Sequence, residues 1–103
     1  MVARGEVWWA ELPGAGARPA LVLTRERAIP MLHRVLVVPA TRTVRGIPTE
    51  VRLTIDDGMP EECALSFDNV SAVPKDALRA RICALGPERM AAVCQAWRDV
   101  ADC

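Results

Sequence analysis

Tyrosine is absent from this sequence, and phenylalanine and histidine occur once each, so its chemistry must rest on other residue types. With His33 alone there is no histidine pair for acid–base work and no H-E-x-x-H zinc motif, and its polar surroundings read as a solvated loop. The rings number only four, Trp8, Trp9, Phe67 and Trp97, which leaves few platforms for stacking a base. Cys63, Cys83, Cys94 and Cys103 form no C-x-x-C, which argues against a zinc site. Cys83 and Cys94 are expected on core faces and Cys103 at an exposed end. No Walker-type glycine loop and no G-x-S-x-G occur, and Asp56-Asp57-Gly58 reads as a turn because no further oxygen ligands follow at EF-hand spacing. No apolar run approaches the roughly 20 residues of a membrane span, and Met1-Val2-Ala3-Arg4 leads into a strand rather than into the apolar region of a signal peptide. The expectation is a cytoplasmic protein without disulfides.

What the chain does have is a folded composition, with 51% hydrophobic and 25% charged residues in 103 positions, enough for one domain spanning 1–103. Its net charge is zero, but the charges are unevenly placed. Arginines 18, 25, 27, 34, 42, 45 and 52 crowd one stretch against Glu26 and Glu50 alone, and acids outnumber bases after residue 52. Such a basic central third suits a phosphate-facing surface. It also suits a GC-rich genome, since every basic residue except Lys75 is arginine.

Apolar and β-branched runs predict strands over 5–12, 19–24 and 35–41. Strict alternation of Val51, Leu53 and Ile55 with Glu50, Arg52 and Thr54 predicts a half-buried antiparallel strand over 49–55, ended by the Asp57-Gly58 turn. A short strand pair is expected between Cys63 and Val73, a turn at 74–76 and a last strand over 79–85. Gly86-Pro87 opens the one convincing helix, with an apolar stripe of Met90, Val93, Cys94, Trp97 and Ala101. The expected fold is mainly β (α+β), with about seven short, mostly antiparallel strands and a C-terminal helix.

Arg18 stands where the small-residue loop 13–17 meets the second strand, and Thr41 ends the third. If those strands are antiparallel neighbours, both residues lie at one sheet edge, with Arg42, Thr43 and Arg45 in the loop that follows. Guanidinium groups and hydroxyls together form a phosphate-recognising set, because arginine donates in a planar fork. The plainer reading is an arginine at a strand edge and a threonine chosen for β propensity.

The stretches RGEVWWAEL (4–12), ARPALVLTRE (17–26), VLVVPATRT (35–43) and ALSFDNVSAVPK (64–75) resemble, in order and spacing, the MazF/PemK-like toxins over nearly the whole chain. The resemblance implies an SH3-like barrel of the type shared with the CcdB toxins and a homodimer. It also implies a ribosome-independent, metal-independent, sequence-specific endoribonuclease acting on single-stranded RNA. It places the catalytic pair at Arg18 and Thr41, and RNA contacts at Gly14, Gly16, Arg42, Thr43, Arg45, Ser66, Asp68 and Asn69. It further implies a cognate MazE-like antitoxin whose acidic tail competes with RNA for one groove. One departure stands out: many members read D-Q-I-R where this chain has Asp68-Asn69-Val70-Ser71.

Metal-free cleavage of RNA proceeds by attack of a 2′-OH on its own phosphate, leaving a 2′,3′-cyclic phosphate and a 5′-OH. Arg18 suits stabilisation of the phosphorane and is unsuited to proton transfer, its pKa exceeding about 12. Glu50, Asp68 or a water are the candidates for proton transfer. Two rivals stay open. One is a CcdB-like gyrase inhibitor, which would depend on a C-terminal aromatic end where this chain reads Asp102-Cys103; the other is a catalytically silent SH3-like binding module.

Overall fold

Alternating and continuous apolar runs fold as the sequence expects, into antiparallel strands. The structure, a computed structural model, describes residues 1–102; the expected exposure of Cys103 lies outside the described residues. The strands are β1 (Glu6–Leu12), β2 (Gly16–Val22), β3 (Arg34–Thr41), β4 (Glu50–Leu53), β5 (Cys63–Ser66), β6 (Ser71–Pro74) and β7 (Leu78–Ala84), and the helix is α1 (Pro87–Ala101). They form one seven-stranded sheet in the order β4-β5-β3-β2-β1-β7, with β6 added on β3. All of the pairings are antiparallel. The fold is the expected one, with one correction to the barrel: β4 and β7 end the path without pairing with each other, so among the described residues the sheet is not closed.

Both faces of the central strands are covered, which is why β2 reads as an unbroken apolar run. Leu21 and Leu23 point into one cluster with Val38, Leu53, Leu65, Phe67 and Val93 of the helix. Ala20 and Val22 point into another with Ala10, Val35, Val37 and Val73. The polar segment after β2 is a 3-10 helix, Glu26–Met31, which buries Ala28 and Ile29 and holds Pro30 clear of the sheet.

Four local expectations are corrected. The strand over 49–55 stops at Leu53, because Thr54 caps a 3-10 turn: its Oγ1 accepts from Asp56 N, and Asp57 Oδ2 accepts from Thr54 N. Ile55, expected inside, is therefore 68% exposed. The pair expected between Cys63 and Val73 is not a hairpin, since β5 and β6 both bond β3 and are separated by the 3-10 turn Phe67–Asn69. The helix is rotated from its expected stripe, burying Val93 and Ala96 and leaving Cys94 and Trp97 exposed. Met90, the first residue of the expected stripe, stays against the core beside Gly5, which is held by bonds to Val22 and from Leu85.

Candidate active site

The β1–β2 connection is tighter than the loop 13–17 expected from the sequence. Leu12 pairs with Gly16, leaving three residues in the turn, and Gly14 and Gly16 take left-handed φ values of 73° and 71° that favour glycine. Arg18 is thus the third residue of β2, exposed and opposite Ala10.

Two prolines decide what happens next to it. Leu23 N bonds Leu36 O, so the odd residues of β2, Pro19 among them, face β3. The β2–β3 register ends at Ala20↔Pro39, so Pro19 lacks its N–H at the point where the ladder stops. Pro39 faces the other way, into the gap between the last β6 pair, Val37↔Ser71, and the first β5 pair, Ala40↔Leu65. Neither strand gives up a bond in mid-ladder, and beyond the prolines the two strands part.

Two clefts flank the parting, of about 360 and 430 Å³, and Arg18 and Thr41 line both. The first adds the hydrogen-bonding side chains of Arg45, Ser66, Asn69 and Ser71 on a floor that includes Leu12, Pro39 and Ala40. The second adds Trp9, Arg42, Thr43 and Glu61. The Arg18 guanidinium makes no hydrogen bond or ion pair within the described residues, and the residue is exposed and lines both clefts, so its donors are unused by the fold.

Thr41, half-buried at the end of β3, accepts at Oγ1 from Thr43 N at 3.1 Å. That bond leaves the threonine O–H free to donate into the cleft. The loop 42–48 is braced at its other end by Glu50, whose Oε1 accepts from Arg45 N at 2.9 Å and Gly46 N at 3.1 Å. Arg42 Nε meets Glu61 Oε1 at 2.6 Å.

The structure therefore gathers Arg18, Thr41, Arg42, Thr43, Arg45, Ser66 and Asn69 around the clefts. Ser66 is buried and accepts from Asn69 Nδ2 at 2.8 Å. Gly14 and Gly16 shape the turn without lining either cleft. Asp68 also stands outside both linings and accepts from Thr49 Oγ1 at 2.6 Å. Sequence reasoning missed Glu61, which only the folding of β4 and β5 onto β3 brings beside Arg42. An acid opposite a loop arginine was the sole signal, and it is non-local. Cys63 lies in the second cleft, where burial first, then the neighbouring Glu61, Cys83 and Asp57, pushes its thiol above the usual value and keeps it unreactive. Among the described residues no three His, Cys, Asp or Glu side chains gather as a metal-ligand set, and no helix is long and apolar enough to cross a membrane.

An open antiparallel sheet backed by one C-terminal helix, with a basic, hydrogen-bonding cleft where two strands part, defines the class: small mainly-β proteins with a surface suited to a polyanion. The chain belongs to the PemK-like, MazF-like toxins of type II toxin–antitoxin systems, whose family profile matches residues 3–100. It is 44% identical over 102 residues to the probable endoribonuclease MazF5 of Mycobacterium tuberculosis, covering 98% of this chain and 94% of that one. Its fold superposes on the Mycobacterium tuberculosis toxin MazF-mt6 with a TM-score of 0.87 at 35% identity, over 94% and 96% of the two chains. A mycobacterial endoribonuclease solved in complex with its cognate antitoxin superposes with a TM-score of 0.90 at 26% identity, over 99% and 96%.

Proposed function

We infer that this chain, one toxin domain over residues 1–103, is an endoribonuclease that cuts single-stranded RNA in the cytoplasm sequence-specifically, without ribosome or metal, and so arrests translation and growth. Family membership and the relatives' named activity support the reaction class. The single observation that carries the site is the partner-free Arg18 fork standing across parted strands from the Thr41 hydroxyl.

In this reading Arg18 holds the non-bridging oxygens of the scissile phosphate. A preformed cation there stabilises the dianionic phosphorane more than the ground state, which lowers the barrier. Thr41, its acceptor side occupied by Thr43 N, donates to a phosphate oxygen and fixes the in-line geometry. Glu50 and Asp68, engaged with the loop and with Thr49, line neither cleft, and proton transfer is assigned to water. The products are a 2′,3′-cyclic phosphate and a 5′-OH. Only unpaired RNA can splay its bases into clefts on both sides of the phosphate.

The toxin acts as a homodimer and is neutralised by a MazE-like antitoxin; the solved complex of a similar endoribonuclease with its antitoxin supports that partner. The test is incubation of the purified chain with a long RNA in EDTA, followed by mapping of the ends. Discrete cuts leaving 5′-OH ends are expected. Intact RNA together with stalled gyrase would favour the CcdB-like alternative.

A further inference from the structure

Among the described residues Glu61 is the one carboxylate lining either cleft, and its one polar contact is the ion pair with Arg42. Its ion pair with Arg42 joins side chains 53% and 85% exposed, and such a pair contributes about 0–1 kcal/mol. Beside a bound phosphodiester it repels. Its place is explained if what enters this cleft is a base edge carrying N–H donors. The same cleft holds Trp9, 38% exposed on β1 and cross-strand from Pro19, while Trp8 is turned inward, its Nε1 donating to Glu6 at 3.0 Å. An exposed indole is a stacking face for any base, and the carboxylate chooses among bases.

We propose that the cleft of Trp9, Arg42 and Glu61 is a guanine-reading subsite next to the scissile phosphate. Guanine alone among the RNA bases presents two adjacent donors, N1–H and N2–H, on its Watson–Crick edge, and these match the two carboxylate oxygens of Glu61. Its O6 then faces Arg42, whose Nη groups are left over from the Nε contact with Glu61. Uracil sets a carbonyl on each side of its single donor, so one carboxylate oxygen would face an acceptor. Adenine and cytosine offer one amino group. The subsite rests on the RNA-binding part of the proposed function, because it takes the nucleotide whose phosphate Arg18 holds.

The experiment measures binding to 2′-O-methyl RNA, which lacks the attacking hydroxyl and stays intact, by fluorescence anisotropy with the full chain. A short oligouridylate carrying one guanine is expected to bind about tenfold more tightly than oligouridylate alone. Inosine, which lacks the N2 amino group, should lose most of that gain. Glu61→Gln, which has one acceptor where two are needed, should erase the guanine preference. Trp9→Ala should weaken all the oligonucleotides alike, with Trp9→Phe restoring them. Equal affinity for the guanine and uracil probes, or an unchanged preference in Glu61→Gln, overturns the subsite. Absence of RNA binding overturns both the subsite and the proposed function, whereas a preserved guanine preference with no cleavage of ordinary RNA upholds the subsite and removes only the catalytic assignment.

Discussion

Arg18 and Thr41 stand opposite one another in a register whose bonds have already ended. Ala20 pairs with Pro39, Leu21 with Val38 and Val22 with Val37, and the same register carried two residues further sets position 18 across from position 41. Thr41 keeps its pairing with Ala64 of β5 on the far edge of β3, while on the near edge the ladder to β2 has stopped, and the clefts lined by Arg18 and Thr41 open there.

Arg18→Ala is expected to reduce cleavage about a hundredfold or more, the scale of losing one preformed donor to a developing oxyanion. Because Arg18 is exposed and bonds nothing in the fold, its melting temperature should match the parent. Equal rates of the two proteins in a gel-based cleavage assay would remove Arg18 from the mechanism.

Thr41→Val keeps the β-branched shape and discards the hydroxyl, and should slow cleavage about tenfold while freeing Thr43 N. Thr41→Ser should regain most of the rate. Single-turnover kinetics separate this from a binding defect.

Glu50→Ala unbraces loop 42–48 by removing the acceptor for two backbone N–H groups. A higher KM is expected with a nearly unchanged kcat and an unchanged pH–rate profile. A lost limb in that profile would instead make Glu50 the proton-transfer group.

Gly58 has φ 98°, and a β-carbon on it would lie 2.7 Å from Cys83 Cβ. Gly58→Ala should cost about 2 kcal/mol or more. Adding Cys83→Ala should give no rescue in a thermal melt, since the obstructing atom is the β-carbon that alanine keeps.

Acid should destabilise the fold through Asp57. Burial alone would raise its pKa, but bonds from Arg89 Nε at 3.0 Å and from Thr54 hold it below the ordinary 3.8. A carboxyl depressed in the folded state stabilises above its unfolded pKa, and that stability is lost as pH falls through the folded value. Melts recorded from neutral pH downward should therefore steepen below about pH 4. Arg89→Gln should flatten that slope.

How much of this was legible in the sequence follows from how local each signal is. Arg18 and Thr41 were legible because strand runs and one antiparallel assumption place them together. The stop at Leu53 was not, because a threonine cap outweighs the continuing alternation at Ile55. Trp97 and Cys94 were misplaced because a helix that buries only Val93 and Ala96 needs a narrower stripe than its apolar residues suggest. Glu61 was out of reach, since it lies 19 positions along the chain from Arg42 and only the sheet joins them.

The double burial of β2 has a mechanical consequence. From Ala20 to Leu23 the chain is gripped on both faces, while Gly16 to Arg18 projects past the grip and pairs with β1 alone. Arg18 rides the free end of a clamped beam, close enough to the clamp that its aim is set by the packing behind it. Loosening that clamp, as Leu21→Ala would, blunts the aim of the guanidinium before it unfolds the protein.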